Sequence, residues 1–91
     1  MKEDAKELKK EVSILRYLNQ TNKQGKNFPC PLHKDKKPSA KVYENIEGDY
    51  FVCYSCGFRG DVFALVREKE GKLDFISQLN FIKENYERFT K

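Results

Sequence analysis

Four residues constrain this chain more than anything else in it. Cys30-Pro31-Leu32-His33 sets two residues between a thiol and an imidazole, and Cys53-Tyr54-Ser55-Cys56 sets two between a pair of thiols. Nineteen residues separate His33 from Cys53. Two intervening residues let a tight turn aim both ligands at one ion, and the long gap brings the two turns together. That is the layout of a tetrahedral Cys3His Zn²⁺ site. All three cysteines and the one histidine fall inside the pattern, and an odd cysteine count argues against a disulfide framework. A C-x2-C alone also suits a thioredoxin-like redox pair, but such a pair has no use for a second Cys–His pair. Four protein ligands close the coordination sphere and leave no water for hydrolysis, so one structural Zn²⁺ is expected. Pro31 stiffens the first turn. Gly57 is free to take the positive φ that lets backbone N–H groups approach a thiolate.

Ninety-one residues imply one small domain spanning 1–91. Hydrophobic residues make up 38% of the chain, enough for a core but a thin one, which is why a metal matters at this size. No apolar run approaches the ~20 residues of a membrane span, and the charged start MKEDAKELKKE offers no signal-peptide core. The expectation is a cytoplasmic protein with no membrane partner. Net charge is +4. Residues 1–26 carry seven Lys/Arg against four acids, 27–60 five against four, and 61–91 six against six. The basic bias in the first two thirds permits a phosphate-bearing partner without requiring one.

The pattern predicts an α+β fold: a small zinc ribbon with an antiparallel β-sheet, flanked by N-terminal and C-terminal helices. Residues 1–26 read as one helix and its exit loop, with Asp4 and Glu7 as a capping box and Leu8, Val12, Leu15 and Leu18 at helical spacing. Residues 27–60 hold the ribbon. Ala40 to Glu44 alternates as a strand, with Ala40 and Val42 on one face and Lys41 and Tyr43 on the other. Asn45 to Asp49 is the hairpin turn and Tyr50 to Cys53 the return strand. Residues 61–91 read as two helices. Asp61 caps the first, Val62, Phe63, Leu65 and Val66 form its apolar face, and Gly71 stops it. Asp74 caps the second, whose stripe runs through Phe75, Leu79, Ile82, Tyr86 and Phe89.

Two stretches carry a family likeness: Cys30-Pro31-Leu32-His33-Lys34-Asp35-Lys36-Lys37-Pro38-Ser39, and Tyr50-Phe51-Val52-Cys53-Tyr54-Ser55-Cys56-Gly57-Phe58-Arg59-Gly60-Asp61-Val62. Together they resemble the CHC2 zinc-binding domain of bacterial DnaG-type DNA primases. Ala40 stands where that family usually has Phe, Asp35 replaces Glu, Lys37 replaces a common Thr, and the hairpin is about two residues longer. Losing the Phe thins the core beside the zinc, and Phe51 or Phe58 is expected to compensate. These departures suggest a divergent branch, from a phage, plasmid or other mobile element. The resemblance implies handling of a single-stranded DNA template during primer synthesis, with nucleotidyl transfer in a separate TOPRIM domain. The expectation is that this chain holds no such catalytic domain and acts in trans or within a complex.

The residues themselves offer a nucleic-acid surface. Lys34, Lys36, Lys37, Lys41 and Arg59 lie in or near the metal turns and the first strand, interleaved with Tyr43 and Tyr54. Single-strand binders pair a basic groove with rings on which bases stack. The competing reading makes the rings ribbon core and the lysines a solvated face. Single-stranded DNA is the expected partner, with a primase catalytic subunit or a helicase as a further one and no small-molecule substrate. The alternative function is a protein–protein interaction module that docks a replication or regulatory protein through the ribbon or the last helix. An enzyme is not expected, because the sole His and every Cys are committed to zinc.

Overall fold

The computed structural model describes residues 5–34 and 37–91. In chain order these form α1 (Ala5–Glu11), α2 (Ile14–Tyr17), a 3-10 turn at Thr21–Lys23, β1 (Ala40–Tyr43), β2 (Tyr50–Cys53), β3 (Arg59–Gly60), α3 (Val62–Glu70), α4 (Phe75–Glu84) and α5 (Tyr86–Phe89). The fold is α+β. Its antiparallel sheet has the order β1-β2-β3, with helices on its flanks.

Register divides the sheet into two faces. Ala40 pairs with Cys53, and Val42 with Phe51 and, across β2, Gly60. These residues point inward, where Ala40 and Phe51 are fully buried. Phe51 lies 6.2 Å from Phe28 and 5.9 Å from Phe58, ring centre to ring centre. Three rings therefore fill the space beside Ala40: the expected Phe51 and Phe58, and Phe28, which exchanges two backbone hydrogen bonds with Ala40. The other row, Lys41, Val52 and Arg59 with Tyr43 and Tyr50 beside it, points outward.

The helix after the sheet follows the expected rules. Asp61 accepts from the Ala64 N–H at 3.0 Å, and Val62, Phe63, Leu65 and Val66 are all buried. A Cβ on Gly60 would lie 2.7 Å from that of Ala64. A side chain there would push α3 off the sheet, so the glycine serves close approach rather than an unusual backbone angle.

Both long helical stripes are broken, contrary to expectation. The first stops at Glu11. Val12 pairs with Thr90, and Ser13, in extended conformation, donates its N–H to Phe89 O at 2.7 Å and caps α2 through Arg16 N. The last stripe breaks at Asn85, whose side chain donates to Phe81 O at 2.8 Å. The two breaks answer each other: they turn α5 onto α2 so that Phe89 is fully buried, 5.0 Å from the Tyr17 ring. Ile82 and Phe89 are thus core, Leu79 and Tyr86 half-buried, and Phe75 half exposed. The Asp4 cap lies outside the described residues.

Candidate metal centre and nucleic-acid face

Cys30 and His33 come from the loop before β1, Cys53 from the end of β2, and Cys56 from the turn beyond it. One ligand atom from each lies within 4.8 Å of all the others. Bonds of ~2.3 Å to sulfur and ~2.0 Å to nitrogen put tetrahedral edges at about 3.5–3.8 Å. His33 Nε2 lies 3.4 Å from Cys53 Sγ, on that edge length. The donor set therefore fits one zinc ion with adjustments of about 1 Å.

Backbone and side-chain groups around the cluster orient it. His33 Nδ1 lies 3.1 Å from Lys34 O, which favours the tautomer with its proton on Nδ1 and the Nε2 lone pair turned to the cluster. Leu32 N–H reaches Cys30 Sγ at 3.5 Å, Cys56 N–H reaches Cys53 Sγ at 3.4 Å, and Ser39 Oγ sits 3.6 Å from the same sulfur. Ser39 also accepts from Tyr54 N–H through its carbonyl at 2.8 Å, so the Pro38-Ser39 step ties the loop to the second metal turn. Sequence reasoning had given Ser39 no role, though it ends the first of the two stretches that carry the family likeness. Gly57 does adopt positive φ, at 82°, but its N–H donates to Cys53 O at 2.9 Å rather than to a sulfur.

The thiols behave as a crowded set. Burial, with the neighbouring Cys53 and Cys56 charges, pushes the Cys30 thiol up to about 12. Burial opposes ionisation of Cys53 too, but donors from Cys56, His33 and Ser39 outweigh it and bring that thiol down to about 6. Three thiolates this close repel one another, and a dication at their centre removes the repulsion.

The outward face of the sheet adjoins this cluster. Lys41, Val52 and Arg59 stand in one row across the three strands. Lys41 Nζ lies 5.1 Å from the centre of the Tyr43 ring, and the Tyr43 and Tyr54 hydroxyls are hydrogen-bonded to each other. That bond raises the Tyr54 pKa, while Lys41 and Arg59 pull it down, so both cations act on the same hydroxyl. Of the expected site residues, Lys41, Tyr43, Tyr54 and Arg59 come together. Lys34 is exposed on the first metal turn and contributes its carbonyl to His33, Lys37 is exposed on the following loop, and Lys36 lies outside the described residues. Phe58 turns into the core. Tyr50 also belongs to the outward face, and so does Val52, which simple alternation from Tyr50 through Tyr54 would have identified.

No helix among the described residues is long and apolar enough to cross a membrane. A family model described as CHC2 zinc finger matches residues 1–89. A DNA primase of Listeria monocytogenes is 37% identical over 70 residues, 75% of this chain and 11% of the primase. One from Enterococcus faecalis is 39% identical over 62 residues, 66% of this chain and 10% of the primase. The gene 58 protein of Mycobacterium phage D29 is 46% identical over 41 residues, 45% of this chain and 30% of the phage protein. The chain thus spans under a third of the length of each of these relatives. No solved structure matches.

Proposed function

The chain belongs to the CHC2 zinc-finger family, and from that premise we propose that it binds single-stranded DNA template as the non-catalytic zinc part of a DNA primase system. The family and the Cys3His group together support one structural zinc ion. In this reading Cys30, His33, Cys53 and Cys56 ligate it, and the metal holds the two turns that carry Ser39 and Tyr54 beside the sheet. The observation that carries the DNA assignment is the outward row of Lys41, Val52 and Arg59 with Tyr43 and Tyr54 beside it. Lys41 and Arg59 contact phosphates, with Lys34, Lys36 and Lys37 extending the cationic path, and a tyrosine ring stacks on a base. Chemistry is left to a separate catalytic subunit, reached in trans or within a complex. The phage relative supports an origin in a mobile element.

The test is fluorescence anisotropy of labelled single-stranded and duplex oligonucleotides, titrated with zinc-loaded protein at two salt concentrations. Preference for the single strand is expected. Replacing Lys41 and Arg59 by Ala should flatten the salt dependence by about 1.4 in log–log slope, the share of two phosphate contacts on a single strand. Unchanged affinity and slope in that variant would sink the assignment.

One observation favours the second reading, a protein-docking module. Leu73 is 80% exposed, Ile76 60% and Phe75 50%, all around the start of α4. If a replication protein docks there, Leu73→Ser with Ile76→Ser abolishes its capture by this chain and leaves oligonucleotide binding intact.

A further inference from the structure

We propose that Tyr43 and Tyr54 are the two walls of one base-insertion subsite, closed in the free protein by the hydrogen bond between their hydroxyls and opened by an unpaired nucleobase that enters toward Val52. The proposal rests on the strand-binding reading above and sharpens it from stacking on one ring to insertion between two.

Tyr43 ends β1 and Tyr54 follows β2, so the two rings stand on neighbouring strands and meet only at their tips. Neither ring is core: Tyr43 is 38% exposed and Tyr54 58%. Val52 shares their face by register and is nevertheless only 6% exposed, although it lies outside the main apolar core. Among the described residues, Lys41, Tyr43, Tyr50 and Arg59 share its face by register, with Tyr54 two positions on along the same strand direction, and these side chains are the ones placed to cover it. An apolar floor beneath two surface rings joined by a single hydroxyl contact suits a flat aromatic ligand that replaces the cover.

The charges select the ligand class. Lys41 and Arg59 stand on either side of Val52 across the strands, one strand spacing away on each side. A nucleotide strand carries a phosphate on both sides of every base, so a base above Val52 brings an anion toward each cation. A paired base cannot enter without being flipped out of its stack, which makes the subsite selective for single strands. Opening it trades a water-accessible hydroxyl hydrogen bond, whose net contribution is small, for stacking worth about five-fold or more in affinity per base.

The experiment compares a labelled dT12 oligonucleotide with an abasic 12-mer, using the full zinc-loaded chain and variants checked for zinc content and circular dichroism. The wild type is expected to bind dT12 about five-fold or more tighter than the abasic strand. Tyr43→Ala and Tyr54→Ala should each erase that preference, and the double variant should add nothing further, because insertion needs both walls. Tyr43→Phe with Tyr54→Phe keeps the rings without the bridge and should bind dT12 at least as tightly as wild type. Lys41→Ala with Arg59→Ala should weaken both oligonucleotides and retain the preference. Loss in only one of the two Ala variants would overturn the subsite in favour of one-ring stacking. Loss of the preference in the Phe double variant would overturn the closed-bridge mechanism. A wild type that binds both strands equally would overturn base insertion and leave strand binding standing. A wild type that binds neither would overturn strand binding itself, and the subsite with it.

Discussion

Asp49 accepts a hydrogen bond from the Ile14 backbone N–H at 3.1 Å, a buried contact between residues 35 positions apart. It joins the β1–β2 hairpin to the first turn of α2, while Lys91 Nζ lies 3.2 Å from the other carboxylate oxygen. One side chain thus gathers the hairpin, the N-terminal helices and the end of the described chain.

Asp49→Ala leaves the Ile14 N–H buried without an acceptor. A loss of about 1–3 kcal/mol is expected in urea unfolding of the zinc-loaded protein. Asp49→Asn keeps an acceptor and should recover much of it, so equal losses in the two variants would mean that the pairing with Lys91 dominates.

Gly60→Ala drives a methyl group to 2.7 Å from the Ala64 Cβ. The variant should lose about 1–3 kcal/mol through overpacking. Adding Ala64→Gly removes the clash but costs about 1 kcal/mol of helix propensity. The double variant should therefore be more stable than the two single losses added together, a coupling that a double-mutant cycle measures.

Tyr17 donates to Glu70 Oε2 at 2.8 Å. Burial, reinforced by the Glu70 carboxylate, raises its phenol above the ordinary 10.0. A group whose folded pKa is raised contributes stability that is fully present below its unfolded pKa and is lost as pH rises. Stability should accordingly decline as pH climbs above about 10. Tyr17→Phe should remove this group's part of that alkaline decline and cost about 0.5–1.5 kcal/mol at neutral pH. Denaturant midpoints from pH 7 to 11 distinguish the outcomes.

Elemental analysis should find one zinc per chain. Chelation should unfold the ribbon, since metal binding and folding are coupled in domains this small. Zinc release should increase as pH falls, because ligand thiolates and imidazole must stay deprotonated to bind. Cys53→Ser with Cys56→Ser should neither hold zinc nor melt cooperatively; full zinc occupancy in that variant would contradict the site.

The metal ligands were legible because their chemistry is local: two tight turns of fixed spacing, with every Cys and the only His used. The strand faces were legible for the same reason, since alternation along Ala40–Tyr43 assigns them without any partner. The caps at Asp61 and Asp74 rest on one residue and an N–H three positions on, and both formed as read.

The helix breaks were not legible. Helical periodicity continues through Val12 and Leu15, and through Ile82, Tyr86 and Phe89, because the same apolar residues are needed inside whether or not the helix is continuous. What interrupts the first stripe at Ser13 is the Phe89 carbonyl and the Asp49 carboxylate, each brought from far along the chain. Likewise β3 has two residues and exists because β2 offers an edge beside it. The sequence by itself determined which atoms could gather around a zinc ion and which face of the sheet each residue of Ala40–Tyr43 takes, since both follow from spacing over a few residues. Tertiary structure decided where the helices end and that the Tyr43 and Tyr54 hydroxyls meet on the face that carries Lys41, Val52 and Arg59, because those contacts join strands that only the folded sheet brings side by side.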